Sequence, residues 1–145
     1  MAFRFSLAQV LRVRESIEKR EELALQRAEG EVAQVQRRID QLTDEMAKVD
    51  HARGEALLRS VRAIDLRGMQ AEMEAAAEAR QTLLDTLVTL KRQRDLQMNL
   101  YQDAHKGRQM LTDLEEEHRA EYEREQTLAQ QKRLDDLFAT RAQRR

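Results

Sequence analysis

Apolar residues recur at a heptad spacing along the first third of the chain. They follow each other in alternating steps of three and four residues, and they are Leu25, Ala28, Val32, Val35, Ile39, Leu42, Met46 and Val49. The residues between them are almost all polar or charged. Apolar positions that repeat every 3.5 residues predict an α-helix that packs against a partner helix as a coiled coil.

A second apolar repeat follows after an interruption. The spacing is lost between Arg59 and Ile64, and a new period begins after Asp65. Its positions are Leu66, Met69, Met73, Ala76, Arg80, Leu83, Leu87 and Leu90. Because the phase changes where a good N-cap residue stands, a turn is favoured over one unbroken helix. No proline or glycine pair forces that turn, so the unbroken helix remains an alternative.

These patterns predict two helices of unequal length in a single coiled-coil domain, residues 1–145. The first helix is expected at about 5–59, with Ser6 as its N-cap. A turn at about 60–64 then leads to a second helix at about 65–140, with Asp65 as its N-cap.

The apolar face of the first helix changes phase near its start. Leu7, Val10, Leu11, Val13 and Ile17 are apolar, whereas the heptad frame of Leu25 puts Arg14, Glu18 and Glu21 on the seam. The stripe is therefore expected to drift around the helix between Ile17 and Leu25, as a stutter would make it do.

The fold class predicted is all-α, a long antiparallel two-helix coiled-coil hairpin. Paired residue numbers would sum to about 125, which sets Leu42 against Leu83. The same register brings the basic start of the chain to an acidic run, with Arg4 opposite Glu121 and Arg12 opposite Asp113. Opposite charges beside a seam favour one orientation. Beyond roughly residue 126 the second helix has no partner.

Composition supports long helices over a globular core. Aromatic residues make up 3% of the 145 residues, charged residues make up 37%, and neither proline nor tryptophan occurs. A compact core needs bulky apolar side chains from several directions. Disorder shares the high charge, but a disordered chain would not carry a sustained heptad repeat.

Other function classes lose support from what the sequence lacks. Without cysteine, the chain has no disulfide and no thiolate metal site. A net charge of −1 offers no general attraction to nucleic acid, and the basic residues near the start are interleaved with glutamate. No signal-peptide core and no membrane-length apolar run occurs, so we predict a cytoplasmic protein without direct membrane insertion.

No catalytic constellation can be assembled from the sequence. It has neither a glycine-rich phosphate loop nor a nucleophile beside a suitable histidine, so we expect no enzyme activity and no cofactor. Glu115 and His118 have the spacing of a di-iron helical bundle ligand pair, but such sites need further ligands from facing helices. A solvated acidic face is favoured over a metal site.

Protein binding by the coil surface is the remaining interpretation. Four residues, Ala77, Leu84, Val88 and Met98, form a row beside the seam of the second helix. They either widen the buried stripe or form a docking patch. Better docking candidates lie near the predicted turn, where less partner helix covers them. These are Leu57, Leu58, Val61 and Ile64.

The two ends of the chain resemble a known family. The opening reads Phe3-x-Phe5-x-Leu7-x-x-Val10-Leu11-x-x-Arg14, and the closing stretch reads Gln131-Lys132-x-Leu134-Asp135-Asp136-x-x-x-x-Arg141. Together they resemble the FliJ family of flagellar export proteins. The resemblance implies an antiparallel two-helix coil similar to the central stalk of rotary ATPases. It implies three partners: a hexameric export ATPase, the cytoplasmic side of a membrane export gate and export chaperones.

The resemblance also implies where these partners bind. Contacts with the ATPase ring would come from Phe3, Phe5, Leu7, Val10, Leu11, Arg14, Lys132, Leu134, Asp135, Asp136 and Arg141. Candidate contacts with the export gate are Leu57, Leu58, Val61, Ile64, Leu84 and Val88. The protein would then be cytoplasmic and peripherally associated with the inner-membrane export apparatus. Two alternatives are the equivalent stalk of a virulence secretion system and a homodimer with one continuous helix per chain.

Overall fold

Two long helices account for nearly the whole chain. The computed structural model describes residues 2–145. Helix α1 spans Ala8–Leu58 and helix α2 spans Ala63–Gln143, and residues 59–62 between them are not helical. Residues 2–145 contain no strand. The predicted all-α coiled-coil hairpin is confirmed, and the alternative of one continuous helix per chain is wrong.

Helix α1 begins two residues after the predicted cap. Ser6 is exposed in a turn in which the amide of Ala8 donates to the carbonyl of Phe5 at 3.2 Å. The amide of Leu11 donates to the carbonyl of Leu7 at 2.9 Å, which makes Leu7 the residue that opens the helical hydrogen-bond ladder. The assignment of Ser6 as N-cap is therefore wrong.

Helix α2, in contrast, opens earlier than predicted. The amide of Leu66 donates to the carbonyl of Arg62 at 3.4 Å, so Arg62 occupies the cap position. Asp65 lies inside the first turn, where its carboxylate is 3.4 Å from Nε of Arg62. An acidic residue there still stabilises the helix through the macrodipole, although Asp65 is not the cap itself.

The chain divides into two compact units. We call Glu21–Tyr101 the seam unit, and Met1–Arg20 together with Gln102–Arg145 the terminal unit. Each contains part of both helices.

The seam unit follows the predicted apolar repeat. All eight seam positions from Leu25 to Val49 are buried or half-buried, and Ile39 and Leu42 are only 3% and 4% exposed. The eight predicted positions of α2, from Leu66 to Leu90, are likewise covered, and Leu87 is buried. Side chains covered at this heptad spacing show that α1 packs against α2 within the seam unit.

Polar contacts between the helices give the register of the seam unit. Nη1 of Arg53 donates to Oε1 of Gln70 at 2.6 Å, and Nε of Arg80 donates to Oγ1 of Thr43 at 3.0 Å. In both pairs the residue numbers sum to 123, close to the expected 125. The turn begins one residue earlier than predicted, and an earlier turn lowers the sum of the paired residue numbers.

The terminal unit is held by a small aromatic cluster. The rings of Phe3 and Tyr122 lie 5.6 Å apart, and Phe5 meets His118 edge-on at 5.7 Å. The guanidinium of Arg119 lies over Phe3, 5.4 Å from the ring centroid. These ring contacts join the start of the chain to the middle of α2.

The ring contacts of this unit fit the predicted register, since Phe3 and Tyr122 sum to 125, but the charged residues set opposite each other form no ion pairs. Arg4, Arg12, Asp113 and Glu121 are exposed, and none of them makes an ion pair within residues 2–145.

Candidate protein-interaction surfaces

The opening motif is divided between covered and exposed side chains. Phe5 and Leu11 are buried, and Phe3 and Leu7 are half-buried. Val10 and Arg14 of the same motif are exposed. The four covered residues pack within the terminal unit, so their first role is to hold the start of the chain against α2. Only Val10, which is 44% exposed, and Arg14 are open enough to meet a partner without rearrangement of this packing.

The closing motif is wholly exposed. Lys132, Leu134, Asp135, Asp136 and Arg141 lie on a stretch of α2 in which every residue from Glu123 to Arg145 is exposed. We call this stretch the free segment of α2. It confirms that the second helix lacks a partner near its end, where the limit is Tyr122 and not residue 126.

The free segment carries large apolar side chains that the family motif does not mark. Leu128, Leu137 and Phe138 are between 61% and 66% exposed. Their spacing of nine residues and then one departs from a seam, and that irregularity was the available signal.

A charged cluster between the helices of the terminal unit was not predicted as a site. Nε of Arg108 donates to Oε2 of Glu18 at 2.5 Å, and Nδ1 of His105 lies 3.5 Å from Oε1 of Glu18. The Glu18 and Arg108 side chains are 20% and 21% exposed. The sequence contained a signal for this cluster, because the heptad frame of Leu25 places Glu18 on the seam.

The environment of Glu18 stabilises its ionised form. The hydrogen bond from Arg108 lowers the pKa of Glu18 below the usual 4.5, and the charges of Arg108 and His105 act in the same direction. Partial burial opposes this shift without reversing it. The carboxylate is therefore charged at neutral pH and fixes the two facing side chains.

The predicted tip residues are exposed around the connection between the helices. Leu57, Leu58 and Ile64 are 63%, 89% and 71% exposed, whereas Val61 is half-buried. A shallow groove of about 570 Å³ opens here, lined in part by Val61, Ile64 and Met69. These apolar side chains are available to a partner.

The row beside the α2 seam does not behave as one surface. Leu84 and Met98 are half-buried and widen the covered stripe, as the first interpretation required. Ala77 and Val88 are exposed. The two gate candidates in this row therefore differ, because Val88 offers more free surface than Leu84.

Metal ligands do not assemble within residues 2–145: no group of three or more histidine, aspartate or glutamate side chains is placed to hold an ion. Glu115 instead approaches Arg119 at 3.6 Å, and His118 packs on Phe5. Over the same residues, neither helix has a stretch long and apolar enough to cross a membrane.

The whole described chain matches one protein family. A family model described as "Flagellar FliJ protein" matches residues 3–145, which include both helices, the aromatic cluster and the free segment. No curated protein and no solved structure matches the chain. The chain belongs to the flagellar FliJ protein family, whose members are associated with flagellar export.

Proposed function

We propose that the protein is a non-enzymatic stalk and adaptor of the flagellar type III export ATPase. In this role it promotes assembly and activity of the hexameric ring and links the ring to the cytoplasmic side of the membrane export gate. The observation that carries the proposal is the free segment, which is exposed at every residue from Glu123 to Arg145 and is helical as far as Gln143. A helix without an internal partner is free to enter a partner protein.

The ring contact follows from the asymmetry of the chain's end. A pair of helices has no sixfold symmetry, so it offers different side chains to each subunit of a hexamer. Subunits with different contacts favour different conformations, and this is sufficient to bias the states of an ATPase ring without any chemistry in the stalk.

The exposed residues of the two motifs are the proposed ring contacts. They are Val10, Arg14, Lys132, Leu134, Asp135, Asp136 and Arg141. The buried Phe5 and Leu11 would act indirectly, because they hold the start of the chain against α2. Phe3 and Leu7, which are half-buried, contribute to both functions.

The export gate is assigned to the seam unit. The gate contact would lie in the seam unit, with Leu57, Leu58, Val61, Ile64, Leu84 and Val88 as its candidates. The protein would then act in the cytoplasm, at the periphery of the inner-membrane export apparatus. A stalk of a virulence secretion system would have the same architecture, but the match to a flagellar family favours the flagellar role.

Removal of the residues after Gln131 tests the ring contact. Every residue removed is exposed, so the truncated protein should keep its thermal unfolding midpoint and most of its helical circular dichroism. We expect it to lose stimulation of the export ATPase. Stimulation equal to that of the full chain would contradict the assignment of the free segment.

Two further variants make this test specific. Deletion of Met1 to Leu11 should also abolish stimulation, but with a lower unfolding midpoint because the buried Phe5 and Leu11 are lost. Leu58→Ser, at a position 89% exposed in the seam unit, should leave stimulation unchanged.

A further inference from the structure

The connection between the helices combines exposed apolar and basic side chains in a short stretch. We call residues 57–67 the hairpin tip. Its apolar residues Leu57, Leu58 and Ile64 are the most exposed large apolar side chains of the seam unit, apart from Leu96. Exposed apolar groups clustered at the end of a hairpin indicate an interaction surface.

The charge of the hairpin tip is positive. Arg59, Arg62 and Arg67 stand against a single acidic residue, Asp65, which pairs with Arg62. Within residues 2–145, the side chains of Arg59 and Arg67 have neither an ion pair nor a hydrogen-bond partner. Two guanidinium groups are therefore available to bind anions, beside apolar side chains that lack cover.

We propose that the hairpin tip adsorbs to the surface of a membrane rich in anionic lipids. The leucine and isoleucine side chains would enter the boundary between headgroups and acyl chains, while the arginines bind lipid phosphates. The contact is interfacial, in keeping with helices that have no membrane-length apolar stretch in the described chain. This surface goes beyond the proposed function, because it requires neither the ATPase nor the gate protein.

A lipid surface fits the hairpin tip better than it fits the other exposed apolar region. On the free segment, Asp135 and Asp136 directly precede Leu137 and Phe138, and six basic residues are spread with four acidic ones over 23 positions. Its net charge of +2 is therefore about half as dense as the same net charge on the 11 residues of the tip. At the tip, the one acidic residue is neutralised by Arg62. Charge therefore favours the tip as the part that faces anionic lipids.

A single tryptophan reporter tests which part of the chain meets the membrane. The chain has no tryptophan, so Leu58→Trp reports from the tip alone, at a position that is already 89% exposed. With vesicles of phosphatidylglycerol in phosphatidylcholine, we expect a blue shift of its fluorescence emission. Vesicles of pure phosphatidylcholine should produce little shift, and added salt should reduce the response.

Two reporters elsewhere serve as matched controls. Leu96→Trp lies in the seam unit at 66% exposure, and Phe138→Trp lies in the free segment at the same exposure. Neither should shift with anionic vesicles. A shift of Phe138→Trp without a shift of Leu58→Trp would overturn the proposal, and so would equal shifts at all three positions.

The contribution of the arginines is measured by vesicle flotation of the full chain. Arg59→Gln and Arg67→Gln should each lower the partition coefficient roughly fivefold, which corresponds to about 1 kcal/mol for one basic residue near an anionic surface. Arg27→Gln and Arg37→Gln make the same charge change at exposed positions of α1 far along the helix from the tip. They should leave the partition coefficient unchanged.

The outcomes separate this surface from the proposed function. Stimulation of the ATPase in the absence of lipid should be unaffected by Arg59→Gln and Arg67→Gln, so loss of one activity does not imply loss of the other. If the purified gate protein binds the tip while anionic vesicles give no Leu58→Trp shift, the occupant is a protein and the lipid proposal is wrong. Equal binding of the wild-type chain to neutral and anionic vesicles would also contradict it.

Discussion

Two stretches of helix α2 contain similar residue types but differ in burial. From Leu66 to Gln97 the side chains on one stripe are covered at every third or fourth residue. From Glu123 to Arg145 every residue is exposed, including Leu128, Leu134, Leu137 and Phe138. Large apolar residues occur in both stretches, so their presence alone does not decide which part of this helix is covered.

The phase of the apolar residues distinguishes the two stretches. The covered stripe, continued past Tyr122 in steps of three and four residues, would run through Glu125, Ala129, Lys132 and Asp136. Most of these positions are polar, while the large apolar residues of the free segment lie elsewhere on the helix. The seam ends in the sequence at the point where burial ends in the structure.

Alanine substitutions of a covered leucine and of an exposed leucine, one on each side of this boundary, should differ most in their effect on the free energy of unfolding. Leu42→Ala removes a side chain that is 4% exposed in the seam unit, and it should lower the free energy of unfolding by about 2–4 kcal/mol. Leu128→Ala, at 65% exposure in the free segment, should change it by less than about 0.5 kcal/mol. Urea unfolding followed by circular dichroism measures both.

The comparison fails if the two substitutions have equal effects. A cost of several kcal/mol for Leu128→Ala would mean that the free segment is covered in solution. Concentration dependence of the unfolding midpoint would then identify a second copy as the cover.

Most of the fold could be predicted because heptad spacing records which positions a partner helix covers. All sixteen seam positions predicted between Leu25 and Leu90 are buried or half-buried. The caps were harder to predict from the sequence. Ser6 and Asp65 are favourable cap residues, but the helices open at Leu7 and Arg62. Cap preference is worth about 1 kcal/mol, so packing can move a boundary by a residue or more.

Charged residues lie on the seam near the start of α1 for a reason that apolar periodicity does not show. The frame of Leu25 runs back through Glu21 and Glu18, and both side chains are half-buried. Polar residues occupy these seam positions because α2 supplies partners: Nε2 of Gln97 donates to Oε2 of Glu21, and Arg108 donates to Glu18. A pattern of apolar residues alone cannot show that a charged position is matched across the interface.

The ring and gate contacts are the hardest features to predict from the sequence, because they depend on partners outside this chain. Exposure separates Val10 from the adjacent Leu11, but the motif marks the two residues equally. These assignments stay predictions until the partner proteins are tested.

The Glu18 cluster allows a test of a charged seam position. Glu18→Gln should lower the free energy of unfolding at neutral pH by about 1 kcal/mol, because the charge-assisted contact with Arg108 is weakened at a site only 20% exposed. Glu29→Gln changes an exposed glutamate of the same helix and should have almost no effect. Equal losses in the two variants would show that the cluster contributes only general charge.

Acidification should remove the contribution of the ionised Glu18 to the free energy of unfolding. Its pKa is lowered in the folded protein, so its contribution is complete above the usual value of 4.5 and declines as the pH falls through the lower folded value. The difference in unfolding free energy between wild type and Glu18→Gln should therefore shrink below pH 4.5. A difference that grows on acidification would contradict the assigned direction of the shift.

The smallest expected effects come from two helical glycines. A methyl group at Gly30, in the seam unit, would meet no atom within 4 Å, so Gly30→Ala should stabilise the protein by about 0.5–1 kcal/mol through helix propensity. At Gly107, in the terminal unit, the same group would lie 3.4 Å from Nη1 of Arg14. Gly107→Ala should gain slightly less, because the methyl group would lie at the close end of van der Waals contact with this guanidinium.

Thermal unfolding of the two glycine variants and of Gly107→Ala combined with Arg14→Ala separates propensity from contact. If Arg14 limits the gain, shortening it should restore the effect of Gly107→Ala to that of Gly30→Ala, each measured against its own parent. If the gain at Gly107 stays smaller, crowding by α1 itself must oppose the methyl group. Equal gains in both single variants would contradict a cost from Arg14 and show that its guanidinium moves away freely.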